Sequence, residues 1–184
     1  MHKYILALVA LIFPSSALIA APCASPLAMP ESTPTDQFTF VDGQNTRVVV
    51  DNKTGLMWAR CTIGFTWDPS TGACENPQAN SGMTWKAALE FARDTNSPDG
   101  STFLGYYDWR LPNVKELASI IERNCPSLSV NNEVFPGTVA SIYWTNTHDI
   151  NSGGDVKVID FSNGGLSAID SKRNVFLRLV RDAN

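Results

Sequence analysis

Tyr107-Asp-Trp-Arg-Leu-Pro-Asn-Val-Lys-Glu-Leu117 carries the change from strand to helix on which the fold of this 184-residue chain turns. Trp109 and Leu111 alternate onto one side of a short extended piece, and Pro112 ends it. Asn113 stands before Val114-Lys-Glu-Leu-Ala-Ser-Ile-Ile-Glu-Arg123, with Glu116 three residues on, a capping-box arrangement with Asn in the Ser/Thr place. Val114, Leu117, Ile120 and Ile121 give that helix its apolar stripe, and Asn124 and Pro126 stop it. Arg110 is placed to meet the carboxylate of Glu116 or Asp108. A bidentate Arg organises a core as readily as it binds a ligand, so the run reads as scaffold.

Upstream, Thr84 to Asp94 predicts a first helix, capped by Thr84, with Trp85, Ala88, Leu89 and Ala92 on one face. Before it, Phe38 to Val41 and Arg47 to Asp51 are β-branched and aromatic runs separated by Asp42-Gly43-Gln-Asn45, which predicts a hairpin. Leu56 to Arg60 predicts a third strand. Downstream, strands are expected at Ser141 to Thr145, at Val156 to Phe161 and, after the turn Ser162-Asn-Gly-Gly165, at Leu166 to Ile169. Val175 to Arg181 closes the chain. Phe176, Arg178 and Val180 fall on one of its faces and Val175, Leu177, Leu179 and Arg181 on the other, and a strand this apolar is expected in the middle of a sheet. Strands, two helices, then strands predict an α+β domain with its helices packed on an antiparallel sheet.

Met1 to Tyr4 carry one lysine and Ile5 to Ala21 run apolar, broken at Pro14, which reads as a signal peptide over residues 1–20. The unbroken apolar stretch is short of the roughly 20 residues a spanning helix needs. Pro22 precedes Cys23 where a lipoprotein needs a small residue, so a soluble exported protein is expected, in the periplasm, at the cell surface or secreted, with no membrane insertion after cleavage. Residues 21–37 read as a Pro/Ser/Thr-rich lead-in and residues 38–184 as one domain.

Export favours disulfides. Cys61 and Cys74 bracket Thr62 to Ala73, a Gly-, Pro- and Ser-rich stretch expected to lack regular structure, and a bridge there contributes on the order of 3 kcal/mol. That leaves Cys23 to pair with Cys125, against the alternative of Cys125 as a buried free thiol. No C-x-x-C pair points to a metal. The net charge is −4, and without the leader 13 basic and 18 acidic groups leave −5, which speaks against nucleic acid and anionic lipid as partners.

Asp51 to Trp58, Cys61 with Gly64 and Trp67, Trp85 with Ala88, Tyr107 to Leu117, Phe135-Pro136, Tyr143-Trp144 and Leu177 to Arg181 together resemble the Lcl C-terminal domain family, a bacterial domain of unknown function with C-type-lectin-like relatives. The resemblance covers about Phe38 to Asp182. It implies a C-type-lectin-like domain whose first and last strands pair, carried by exported or surface proteins, with no agreed enzymatic activity. The namesake's adhesive, glycan-binding role goes with a collagen-like stalk, and this chain has no Gly-x-y repeat. A similar Arg-Leu-Pro-x-x-x-Glu segment occurs in the formylglycine-generating fold, whose chemistry uses cysteines late in the chain; here none follows Cys125.

Neither a G-x-S-x-G elbow nor an H-E-x-x-H pair nor a phosphate loop is present, so no catalytic residue is assigned. His148, outside the leader the single histidine, sits between Thr147 and Asp149 and reads as a surface residue. Asp149, Asn151 and Asp155 space oxygen ligands along a Gly-rich loop and are the candidate calcium ligands, although no Glu closes the array; no other cofactor is implied. Four tryptophans fall on expected strands or a helix start. Trp67, beside Phe65 in the stapled loop, is expected to be exposed. Phe65 and Trp67, with Asn146 and His148 on the Asn146 to Asp155 loop, are therefore the candidate ligand contacts. The expected function is an exported non-catalytic binding or adhesion module with a glycan or protein ligand; the alternative is a structural or accessory subunit of a cell-envelope assembly.

Overall fold

A computed structural model describes residues 30–41, 47–75, 82–96, 103–125 and 128–184. The expected signal peptide and Cys23 lie outside the described residues. No helix among the described residues is long and apolar enough to cross a membrane.

The architecture is α+β. Strands β1 (Phe38–Phe40), β2 (Val48–Asp51) and β3 (Leu56–Ala59) form an antiparallel meander, and β9 (Val180–Asp182) pairs with β3, giving the order β1-β2-β3-β9. A second sheet is the meander β6 (Ile142–His148), β7 (Asp155–Asp160) and β8 (Gly165–Asp170). Between them come a hairpin of β4 (Thr66–Asp68) and β5 (Ala73–Glu75), then helices α1 (Trp85–Asp94) and α2 (Val114–Ser119).

Every residue of β3 is buried, because the first sheet is covered on both faces. Leu56 and Trp58 point into one apolar cluster with Val49, Leu117, Phe135 and Tyr143. Met57 and Ala59 point into a second with Ala88, Trp109, Trp144 and Leu177. Helix α2 closes the first cluster through Leu117, and α1 closes the second through Ala88 and Ala92. The closing segment divides them as its alternation predicts: Phe176 and Val180 serve the first cluster, and Val175, Leu177 and Leu179 the second.

Several elements differ from the sequence reading. The first and last strands share a sheet but lie at its opposite edges, and β9 pairs with β3. The closing segment is not a central strand. Its backbone is shared out in single contacts, Val175 with Met83, the Phe176 carbonyl with Trp144, the Leu177 carbonyl with Ile63, and Val180 with Arg110. That sharing buries it without a continuous ladder. Helix α2 ends at Ser119 rather than Arg123, because Ile121 leaves to form a bridge with Val130 and the Glu122 N–H donates to the Ser129 carbonyl at 3.0 Å. On α1, Leu89 is exposed, and Phe91 instead turns inward to meet the edge of Phe103, with ring centroids 6.1 Å apart.

The stretch between Cys61 and Cys74 is not irregular: it contains β4 and the first residue of β5, with Asp68 anchoring the turn by accepting from the Ser70 N–H and hydroxyl. Residues expected as a lead-in are packed from Ser32 onward. Ser32 and Thr33 donate both backbone and hydroxyl groups to the buried Glu122 carboxylate, and a short 3-10 turn, Thr35–Gln37, leads into β1.

The motif that opened the reading folds as expected. Trp109 and Leu111 are each 1% exposed, and the Asn113 side chain accepts from the Lys115 and Glu116 N–H groups while Glu116 reaches back to the Asn113 N–H, a complete capping box. Arg110 grips Glu116 with two bonds of 2.7 and 2.9 Å and also reaches Asp182 at 3.1 Å. Asp108 serves Arg181 instead. That hydrogen-bonded pairing, against a smaller penalty from burial, holds the Asp108 carboxyl below its ordinary pKa.

Candidate functional site

The β4–β5 hairpin is fixed at its base by the Cys61–Cys74 disulfide, whose Cα atoms lie 5.6 Å apart. Gly137 packs against that bridge. Its φ is +66°, and a Cβ there would sit 2.7 Å from the Cys74 carbonyl oxygen, so the chain passes only because the side chain is absent. The hairpin thereby stands as a rigid rib with a recess on each side.

On one side lies a polar recess of about 550 Å³, bounded by Thr35, Phe40, Arg60, Glu133 and the hairpin turn Pro69 to Gly72. Arg60 forms its floor. The guanidinium is held between the Phe40 and Trp67 rings, 4.8 and 4.4 Å from their centroids, and donates to the Val134 and Glu133 carbonyls at 2.8 and 2.9 Å. Burial, then the nearby Arg178 charge, lowers its pKa to about 10, which leaves it a cation at neutral pH. The Glu133 carboxylate is exposed at the rim and accepts from the Thr35 hydroxyl at 2.9 Å.

Behind this floor, Arg178 is fully buried. It donates to the Ala59 carbonyl at 2.8 Å, to the Arg60 carbonyl and to the Thr138 hydroxyl at 2.7 Å, and its guanidinium covers the Phe135 ring. Burial lowers its pKa to about 10 as well. Carbonyl and hydroxyl oxygens, in place of a carboxylate, solvate this cation and tie the end of β3 to the closing segment.

On the other side of the rib is an apolar recess of about 410 Å³, walled by Ile63, Phe65, Met83, Phe91, Phe103 and Leu104, with Arg47 at its edge.

The expected ligand contacts are divided by this geometry. Phe65 is half-buried on the apolar recess. Trp67 is not exposed: at 9% accessibility it is buried, its face spent on Arg60, so the exposure expected from its place in a short loop is wrong. The β4–β5 pairing turns it inward. Asn146 and His148 line neither recess and lie on β6 rather than on a loop, because the strand continues through a bulge to His148. Both are exposed. The Asn146 N–H donates to the Pro112 carbonyl, and the His148 ring stands against Trp85 with centroids 4.5 Å apart.

Asp149 and Asn151 lie on the loop between β6 and β7, while Asp155, expected on the same loop, opens β7 and pairs with Asp170. The Asp149 carboxylate accepts from the Asn151 N–H at 3.2 Å and faces the Lys157 ammonium at 3.7 Å. No group of three or more His, Cys, Asp or Glu side chains among the described residues converges as a metal site. Cys125 is not a free thiol, while the Cys23 end of the expected second bridge lies outside the described residues.

The sequence reading missed Arg60, Glu133, Arg47 and Phe103-Leu104. One signal was available: Phe91 is an apolar residue placed off the assigned stripe of α1, which points to a further apolar surface beside that helix.

Comparison with curated proteins gives no match. A family model does match, over residues 47–181, a span that takes in the capped Tyr107 to Leu117 motif, the stapled hairpin, the lining of the apolar recess and the closing segment, while Thr35 and Phe40 of the polar recess precede it. The chain belongs to the Lcl C-terminal domain family.

Proposed function

We propose that the protein is an exported, non-catalytic binding or adhesion module of C-type-lectin-like type, presenting the polar recess beside the stapled hairpin to a glycan. One observation carries this reading. The recess joins an aromatic face, Phe40, to a rim of exposed donors and acceptors, Ser70, Thr71 and Glu133, on a floor immobilised by Arg60. A sugar needs both an apolar face and polar groups that fix orientation, on loops held by a rigid scaffold.

The test is a glycan array with the mature protein, followed by titration of the best hit. Trp67→Ala is the wrong probe, because removing a buried indole tests folding. Saturable binding weakened at least tenfold by Glu133→Gln, with unchanged thermal unfolding, supports the reading. Silence on the array, together with a stable partner co-purified from envelope extract, replaces it with the accessory-subunit alternative. No cofactor is invoked. Calcium at Asp149, Asn151 and Asp155 would have to displace the Lys157 ammonium, and calorimetry without heat at millimolar calcium eliminates it.

A further inference from the structure

We propose that the apolar recess on the opposite side of the stapled hairpin is a second, separate binding site, and that it takes a small amphipathic anion: a carboxylate or sulfonate on an apolar body about the size of a naphthalene ring.

The walls come from four separate pieces of chain, and each is held by the fold around it. Ile63 donates its N–H to the Leu177 carbonyl at 3.0 Å. Met83 exchanges backbone bonds with Val175 in both directions, and its carbonyl also accepts from the Trp144 indole at 2.7 Å. Phe91 is held by α1 against Phe103, and the Phe103 carbonyl accepts from the Trp109 indole at 2.6 Å. A recess whose walls are already ordered costs little further entropy when filled, and its volume of about 410 Å³ is in the range of small-molecule sites.

The fourth piece is kept in an unfavourable backbone. Leu104 has φ +53° and Gly105 φ +86°, with the Tyr106 N–H closing on the Phe103 carbonyl at 3.1 Å. This is a two-residue turn with both central φ angles positive, where Asn, Asp or Gly is favoured. An aliphatic residue there is strained, because its Cβ crowds the neighbouring carbonyl oxygen. The turn would form more easily without a leucine, and what the leucine adds is an apolar side chain on the recess wall.

Arg47 supplies the charge preference. Among the described residues it is the one ionised group on the lining, no carboxylate stands beside it there, and it forms no ion pair with any of them. A cation at the edge of an apolar recess attracts an anionic head group whose body fills the recess. With a net charge of −4 the chain as a whole disfavours anions, so a preference for an anion must arise locally.

The probes are naphthalene-2-sulfonate, 2-naphthol and 2-naphthylmethylammonium, titrated calorimetrically into the full mature chain. The expected result is saturable one-to-one binding of the sulfonate, at least tenfold tighter than that of the ammonium. Arg47→Gln should erase that difference while the neutral naphthol binds as before. Met83→Trp, which fills the recess, should weaken the sulfonate at least tenfold. Leu104→Gly should weaken it as well while leaving the thermal midpoint equal or higher, since glycine suits a positive φ, so a loss there is not a loss of folding. Glu133→Gln should change nothing, because it lies on the other recess. Equal affinity for the three probes, no binding of any, or sulfonate binding indifferent to Arg47→Gln and Leu104→Gly overturns the proposal.

Discussion

Replacing Glu122 by Gln should detach the segment before β1 and make the stability of the domain much less dependent on acid. Glu122 is 1% exposed, and its two oxygens accept five hydrogen bonds: from the N–H and hydroxyl of Ser32, the N–H and hydroxyl of Thr33, and the N–H of Asn124. Burial pushes its pKa up, but the N–H groups of Asn124, Thr33 and Ser32 and the Ser32 hydroxyl outweigh that and hold it below the ordinary 4.5. In Glu122→Gln one oxygen still accepts, while the other becomes an NH₂ facing donors. The Thr33 hydroxyl can turn to accept from it; the Thr33 N–H, on a residue 2% exposed, cannot and is left buried without a partner. That orphan costs about 1–3 kcal/mol, and the remaining bonds lose their charge assistance. A total of roughly 3 kcal/mol follows, or a thermal midpoint lower by about 10 °C for a domain of this size. Because the folded pKa is depressed, the wild-type contribution is complete above the unfolded pKa and is lost as pH falls through the folded one. Urea unfolding of both proteins at a series of pH values measures it. The gap should be full at pH 7 and narrow steadily as the pH is taken below the ordinary carboxylate range. A variant within 0.5 kcal/mol of wild type at pH 7, or a gap that widens in acid, refutes the reasoning.

Glu116→Ala removes the side-chain half of the capping box, its bond to the Asn113 N–H, and both bonds to Arg110, while the Asn113 side chain still accepts from the backbone; it should destabilise by about 2–3 kcal/mol, more than Asn113→Ala at about 1 kcal/mol, and equal losses would show that the ion pair adds nothing. Gly137→Ala must place a Cβ 2.7 Å from the Cys74 carbonyl at φ +66° and should cost more than 1 kcal/mol, read by thermal unfolding, and an unchanged midpoint would mean that the packing around the disulfide yields. Cys61→Ser with Cys74→Ser opens a bridge of sequence separation 13 and should cost about 3 kcal/mol in denaturant, with thiol titration confirming that Cys125 has gained no free sulfur.

What could be read in the sequence was whatever local chemistry fixes. Asn113 and Glu116 specify their capping box within four residues, the hairpin of β1 and β2 follows from two β-branched runs around a turn, and the two-faced alternation of Val175 to Val180 survives intact in the two clusters. Features decided by distant partners were not legible. Helix α2 stops early because Val130 and Ser129 compete for the backbone of Ile121 and Glu122. Trp67 reads as an exposed loop aromatic until Arg60, on another strand end, is laid across its face. The candidate site suffered most. Arg60, Glu133 and Phe40 share no motif, and Phe65 and Trp67, the two expected contacts that border the apolar recess, have neighbours there drawn from α1 and from the Leu104 turn.

The closing segment sets a limit on how this chain can acquire its fold in time. Arg178 bonds to the Ala59 carbonyl across 119 positions, and Arg181 to Asp108 across 73. Until residue 182 has been made, the β1–β3 meander and the stapled hairpin can form, but the two apolar clusters remain unjoined halves with Trp58 and Trp144 uncovered. Such long-range closure belongs to chains that fold in milliseconds to seconds rather than microseconds. Completion of the two clusters therefore waits on residues 175–182, and a chain interrupted before residue 175 should be far more protease-sensitive than one that includes them.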